Sequence, residues 1–431
     1  MRNLFDQYNH PENRLTHSLV SSLANDPLLL KEFIRWATGE KSLSSRLTVV
    51  EQTLPGEEEL GDEEEAERRG LPDGWIFDNN GWCLVIESKI ESPLRRDQLE
   101  RHRRTAERRG FTRIHLLALV TESPNWEHLN GTMTIRKWTQ LYCWLLQEKK
   151  HSQWAGRLGS YMEVLEQKLV RDNYLRGGTL TVFSGIPFGK EEPYNYYEAK
   201  RVLRLAMDEL RKRKDLENEL GMDSESKGRS AITGRAGTRI WDFLRLIRAR
   251  EAVNFTEFPH LTLSIQQEQL LAIVTVPHGI RREFRRNLLA GGYDSFCAIF
   301  QMLLDNLGRA LKGVDGASPW VEVLQRHYPT QREEPIIDAR LQFDLRTAFA
   351  GHRAVSNSVK QQQQWLEATY EALADKSSNL QLGVGAIFRY ERCSDVRTPK
   401  ILNHVSNVWL GCKPLIDALV GAGVTIRKVE S

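Results

Sequence analysis

Pro72-Asp73-Gly74-Trp75-Ile76-Phe77-Asp78-Asn79-Asn80-Gly81-Trp82-Cys83-Leu84-Val85-Ile86-Glu87-Ser88-Lys89-Ile90 holds two strand-like runs around an Asn-Asn-Gly turn. A three-residue hairpin loop commonly puts its third residue in the left-handed region, where glycine costs least. With Asn79 to Gly81 as that loop, Asp78 pairs with Trp82, and counting outward pairs Asp73 with Glu87. Directly opposed residues of an antiparallel pair point to the same face. Lys89, two residues past Glu87, returns to that face.

Upstream, Pro11 suits a first helical turn, and Leu15, Leu19, Val20 and Leu23 form an apolar stripe. A second helical run follows Pro27 through Leu30, Phe33, Ile34 and Trp36. Arg46 to Thr53 is short and β-branched, which predicts a strand, and Gly56 to Gly70 is an acidic loop. Downstream, Leu94 to Arg109 predicts a helix. Ile114 to Thr121 is a nearly unbroken apolar run, as expected of a strand covered on both faces after a parallel crossover. Thr132 to Trp138 and a helix through Leu141, Trp144 and Leu145 complete this unit near residue 150.

The expected division is therefore a first domain over 1–150, a mostly helical connector with linker over 151–237, and a second α/β domain over 238–431. Glu198 to Leu220 is a long charged helix in this reading, and Met222 to Gly237 is a linker rich in Ser and Gly. In the last region Leu261 to Ile265 and Leu270 to Val276 suggest a hairpin, and Phe284 to Leu311 suggests helices. Pro335 to Leu345, Leu380 to Tyr390 and Val424 to Val429 suggest strands, with helices over Val359 to Leu373 and Ile401 to Leu419.

A chain of 431 residues exceeds one compact core, and a formal charge of +3 selects no partner by itself. The distribution of charge says more, because Lys89 to Arg113 is crowded with arginine. The absence of any apolar run of membrane-spanning length, and of a signal-peptide core in Met1 to Asp6, leads to the expectation of a cytoplasmic protein without a membrane partner. Five scattered cysteines without a Cys-x-x-Cys pair argue against a disulfide framework, a zinc site or an iron–sulfur cluster.

Asp73 beside Glu87 sets like charges face to face, which destabilises a sheet unless something binds there. A divalent cation resolves the conflict: magnesium prefers hard carboxylate oxygens together with water and substrate phosphate. Lys89 would then hold or help deprotonate the attacking water and offset phosphate charge. Taken singly, Asp73 reads as a turn residue before Gly74, and Glu87 with Lys89 as a surface ion pair. The three together, on one face of one hairpin, point to a catalytic site.

Pro72-Asp73 followed by Glu87-Ser88-Lys89 on the next strand resembles the PD-(D/E)XK phosphodiesterase superfamily, which includes restriction endonucleases and RecB-like nucleases. The likeness covers Leu4 to Thr121, where the element order is similar to that family's αβββαβ core. It implies a restriction-endonuclease-like α/β fold. The activity implied is a magnesium-dependent endonuclease, with manganese as a substitute, acting on DNA in restriction or anti-phage defence. It also implies a metal-binding acid at Glu12, which shares a helix face with Leu15 and Leu19 and otherwise reads as an acid favoured by the helix dipole. Gln98 and His102 resemble the Gln-x-x-x-Tyr motif of RecB-like members, but histidine stands where tyrosine is expected. Gln98 is therefore taken as a site residue and His102 is not.

On the arginine-rich helix, Arg95, Arg96, Arg101 and Arg104 are expected to contact a nucleic-acid backbone, since arginine suits bidentate phosphate contacts. Gly185 to Glu191 looks superficially like a phosphate loop but is one residue short and lacks the Ser/Thr that reaches magnesium. Arg281 to Arg286 reads as a solvated helix start. The region 238–431 is expected to recognise a substrate, a trigger, a partner protein or a second copy of the chain. The competing expectation is a module that keeps the nuclease fold for nucleic-acid binding or assembly and does not cut.

Overall fold

The turn chemistry around Gly81 and the apolar stripes on either side of it organise the first of two compact units, Met1–Val182 and Phe183–Ser431. The computed structural model describes residues 10–40, 46–55, 71–124, 133–172, 174–226, 238–247, 258–277, 282–327, 329–330, 336–349, 359–375 and 380–421. The acidic loop expected over Gly56 to Gly70, most of the expected linker, Arg281, and the strand expected over Val424 to Val429 lie outside these residues.

The first unit begins with α1 (Pro11–Asn25), which has proline in its first turn and Leu15, Leu19 and Leu23 wholly buried one turn apart. Asp26 ends it and caps α2 (Pro27–Thr38), accepting from the Leu28 and Leu29 N–H groups at 3.1 and 3.0 Å. Next come β1 (Thr48–Glu51), β2 (Gly74–Phe77), β3 (Trp82–Ser88), α3 (Arg96–Arg108), β4 (Arg113–Val120) and β5 (Met133–Lys137). Then follow α4 (Trp138–Glu148) and α5 (Gln153–Arg171).

The strands lie in the order β1-β2-β3-β4-β5. The first three are antiparallel, and β4 and β5 join parallel. All seven residues of β3 are buried, because helices cover both faces. Ile76, Leu84, Ile86, Leu117 and Leu119 pack toward α1, α2, α4 and α5. The alternate positions Trp75, Cys83, Val85, Leu116 and Ala118 pack toward Leu99 and Ala106 of α3. The helix α5, expected in a connector beginning at 151, buries Leu158, Met162, Leu165 and Leu169 in this same core, so the unit extends to Val182.

The hairpin has the register read from its sequence. Gly74 pairs with Ile86 and Phe77 with Cys83, and Asp78 N–H donates to the Trp82 carbonyl at 3.1 Å. Gly81 has φ +80°, and a Cβ there would stand 3.1 Å from Thr112 Oγ1. Gly81→Ala is therefore expected to lower unfolding free energy by about 1–2 kcal/mol, the cost of a left-handed L-residue. Denaturant unfolding measures this, and an unchanged stability would contradict the turn. Gly74 matters for another reason: its missing Cβ would lie 3.1 Å from Val20 Cγ2, so α1 passes close over the start of β2.

The second unit opens with α6 (Tyr196–Arg211) and α7 (Lys214–Leu220), then β6 (Arg239–Leu244), β7 (His260–Gln266) and β8 (Gln269–Val276). It continues through α8 (Arg282–Leu289), α9 (Gly292–Ala310), β9 (Ala317–His327) and β10 (Ile336–Asp344). The last elements are α10 (Gln364–Ala374), β11 (Leu380–Arg389), α11 (Ile401–Gly411) and α12 (Lys413–Val420). The sheet order is β10-β9-β11-β8-β7-β6, antiparallel throughout. One core holds Ile240, Leu263, Ala272, Val321 and Val384 together with the helices. The expected helix over Ile401 to Leu419 is two helices, broken beside Pro414, which sits in the first turn of the second.

Among the described residues no helix is long and apolar enough to cross a membrane. Cys83, Cys393 and Cys412 are buried free thiols, Cys297 is half-buried and Cys143 is exposed.

Candidate metal centre

Because β2 and β3 keep the register of the hairpin, the positions just beyond the paired residues bring Asp73 opposite Glu87. Glu87 lies on the α3 side of the sheet, in line with Val85, where Gln98 and His102 of α3 reach it. Asp73 Oδ2 accepts from the Ser88 N–H at 2.6 Å and from Ser88 Oγ at 2.8 Å. Among the described residues Asp73 Oδ1 makes no hydrogen bond. Glu87 is 1% exposed. Its Oε1 faces Lys89 Nζ at 2.7 Å and takes a short hydrogen bond from Gln98 Nε2, while its Oε2 meets His102 Nε2 at 2.9 Å.

Lys89 Nζ also contacts Glu12 Oε1 at 3.1 Å, and the other Glu12 oxygen accepts from the Ile90 N–H at 2.8 Å. The backbone here is tied on every side. Lys89 N–H donates to the Leu119 carbonyl at 2.8 Å, Trp138 Nε1 donates to the Lys89 carbonyl at 3.2 Å, and Thr121 Oγ1 donates to the Ile90 carbonyl at 3.0 Å. Such pinning on rigid elements fixes the lysine and its acid neighbour without leaving the geometry to a loop.

The two facing acids are driven apart electrostatically. Burial, and then the Glu87 charge, hold the Asp73 carboxyl well above the usual carboxylate range. Burial also opposes ionisation of Glu87, but His102 and Lys89 outweigh it and leave this carboxyl below its ordinary value. Burial works against the Lys89 charge too. The surrounding Glu87, Asp73 and Glu12 overcome it and raise the ammonium above its usual range.

When Glu12, Asp73 and Glu87 are all ionised, they leave two negative charges against the one Lys89 ammonium, which one divalent cation balances. Among the described residues no three His, Cys, Asp or Glu side chains stand as a ready metal-ligand cluster. The donor set nevertheless fits a hard cation. Asp73 and Glu87 oppose each other with carboxylate oxygens, one of them without a hydrogen bond, and the desolvation and like-charge repulsion that together raise Asp73 are what a cation would offset.

Every residue expected in the site reaches it: Glu12, Asp73, Glu87, Lys89 and Gln98 form one connected cluster. In this conformation Glu12 holds Lys89 and the Ile90 N–H, while Asp73 and Glu87 face each other as the pair of potential ligands. His102, set aside on sequence grounds, belongs to the cluster. It is 1% exposed and its ring meets the second Glu87 oxygen. The signal was its spacing from Gln98, four residues apart and hence on one helix face. Ser88 and Thr16 were not singled out either. Their hydroxyl oxygens lie in close contact between β3 and α1, and Thr16 Oγ1 donates to the Glu12 carbonyl at 3.0 Å.

The four arginines expected to touch a nucleic-acid backbone are all exposed on or beside α3. Arg95 pairs with Asp97 at 2.9 Å, Arg96 with Glu100 at 3.1 Å and Arg104 with Glu100 at 3.6 Å. Exposed pairs of this kind contribute little, so exchanging them for phosphate contacts costs little.

No protein-family model matches the chain. No curated protein matches it either.

Proposed function

We propose that the first unit is a divalent-cation-dependent phosphodiesterase of the PD-(D/E)XK type, with a restriction-endonuclease-like core, that cuts DNA. The observation that carries this reading is the half-buried Asp73 opposite the buried Glu87 across a hairpin, with the Lys89 ammonium 2.7 Å from Glu87. Asp73 and Glu87 would hold magnesium, or manganese in its place, which supplies charge neutralisation at the phosphate and a more acidic water.

The chain's own groups account for the remainder of the chemistry. Neighbouring acids keep Lys89 protonated, so it acts as a hydrogen-bond donor that orients the attacking water and offsets phosphate charge. Glu12 positions that ammonium through its 3.1 Å contact. Gln98 and His102 hold the two Glu87 oxygens and so set the direction of its lone pairs. The exposed arginines of α3 offer phosphate contacts to the flanking strand. Defence against foreign DNA is the setting we infer from the family likeness.

The full chain is to be incubated with plasmid, linear duplex and single-stranded DNA and with RNA, in magnesium or manganese, beside a Lys89→Ala control. Cation-dependent cutting by the wild type alone supports the reading. Cutting that survives the substitution, or no cutting of any substrate, favours the rival non-cutting module or another source of activity. His102→Ala is expected to shift the magnesium concentration for half-maximal cleavage upward by about 10–100-fold, as losing a ligand's supporting hydrogen bond does. A cation titration of the initial rate measures this, and an unmoved midpoint would mean that His102 only packs.

A further inference from the structure

The sheet of the second unit ends in two edge strands of different character. Every residue of β6 is buried or half-buried. At the other edge, β10 pairs only with β9 among the described residues. Its nine residues leave Ile336 to Arg340 and Gln342 exposed, with Ile336 at 50% and Ile337 at 46%. An open edge presents a row of backbone N–H and C=O groups ready to pair with another strand. Proteins blunt such edges with short strands, lysine, proline or bulges. β10 is long and contains neither lysine nor proline. It carries a bulge at Asp338, where the register with β9 shifts between Ile337 and Ala339. Two adjacent exposed isoleucines on an edge of that length make it a place for strand pairing.

The side chains of β10 specify which strand. In a twofold antiparallel pair of identical strands every contact occurs twice, residue i meeting j and j meeting i. Centred on Ala339, such a pair sets Asp338 of each copy opposite Arg340 of the other. Moving the axis to Asp338 or to Arg340 opposes like charges instead, which destabilises a sheet. Arg340 is available for the contact, since it makes no hydrogen bond or ion pair with any described residue. Asp338 meets the exposed His327 ring at 2.9 Å. A carboxylate offers about four acceptor sites, so a guanidinium can share it. Ile336 and Ile337 then lie along the far half of the other copy's strand. An apolar groove of about 280 Å³ beside β10, lined by Val323, Ala339, Leu341, Ala372 and Leu380 among others, gives apolar side chains of the second copy a place to bury.

We propose that β10 is a self-association edge, at which two copies of this chain pair antiparallel about Ala339 and join their sheets into one. Each β10 is used up by its partner, so the assembly closes at two copies. The proposal does not depend on the first unit cutting anything. It gives a surface to the second copy of the chain expected as a partner of residues 238–431.

The test is sedimentation velocity on the full chain in EDTA over a wide range of concentration. A reversible monomer–dimer equilibrium is expected. Arg340→Asp puts two carboxylates into each cross-strand pair, and Asp338→Arg puts two guanidinium groups there. Each is expected to raise the dimer dissociation constant about tenfold or more, since two pairs change from attraction to repulsion. In an equimolar mixture of these two variants every carboxylate again faces a guanidinium. The mixture is therefore expected to associate as tightly as wild type, and that recovery also shows that both variants fold, which circular dichroism checks. Ile337→Lys, which blunts the edge without touching the ion pairs, is expected to weaken the dimer as well. Lys89→Ala is expected to associate like wild type, which separates this surface from the centre in the first unit. A wild-type chain that stays monomeric throughout, association beyond two copies, single charge variants that dimerise as tightly as wild type, or a mixture that does not recover would overturn the proposal.

Discussion

Lys89→Ala is expected to lower cleavage by at least about 10²–10³-fold, the loss that follows removal of one preorganised donor at developing negative charge. Its ammonium lies 2.7 Å from Glu87 and 3.1 Å from Glu12, at 13% side-chain exposure, so no water can take its place with equal effect. The same substitution strips the buried acids of their internal cation. Breaking a buried ion pair by removing one partner costs about 3–5 kcal/mol, so the variant is expected to melt at lower temperature than wild type in EDTA. Magnesium then has more repulsion to relieve and is expected to restore part of that loss. The two readouts separate chemistry from folding. A variant that regains wild-type stability in magnesium and still does not cut localises the defect to the reaction. A variant that cuts at the wild-type rate removes Lys89 from the mechanism.

Asp73→Asn carries the second large effect, and its sign reverses with the cation. Burial and the Glu87 charge raise the Asp73 pKa in the folded chain above its unfolded value. As pH rises from about 4, the unfolded chain ionises first, and stability in EDTA falls until the folded carboxyl also ionises. One proton's difference is worth about 1.4 kcal/mol per pH unit over that window. Glu87 runs the other way: its lowered folded pKa contributes stability above the unfolded value that is lost as pH drops through the folded one. Asparagine keeps an acceptor for the Ser88 N–H and cannot ionise. Asp73→Asn is therefore expected to exceed wild type in stability near neutral pH in EDTA, with a flatter pH profile. In magnesium the order is expected to invert, because a saturating ligand adds about 2.7 kcal/mol at one hundred times its dissociation constant only to a chain that binds it. Thermal melts across pH, with and without magnesium, measure both halves. An equal magnesium-induced gain in Asp73→Asn and wild type would sink the assignment of Asp73 as a ligand.

Much of this site was readable before any fold was known. A three-residue turn ending in glycine sets the register of its own hairpin, and that register alone brings Asp73 opposite Glu87. The stripe of Leu15 and Leu19 likewise oriented Glu12 inward. His102 was not readable in the same way. Its spacing put it on one helix face with Gln98, but nothing local said that this face meets Glu87. The packing of α3 against β3 and β4 decides that. No local pattern predicts the strand Ala317–His327, because Pro319 interrupts its run and its partner strand β11 lies some sixty residues on.

The sequence by itself determined the hairpin, the helix starts at Pro11 and Pro27, and the three residues of the candidate centre. These rest on turn chemistry, capping and periodicity, interactions that span only a few neighbours. Tertiary structure decided the end of the first unit at Val182 and the entry of His102 and Ser88 into the cluster. Each of these depends on which surfaces meet after long stretches of chain have folded back, and burial of that kind leaves no local pattern to read.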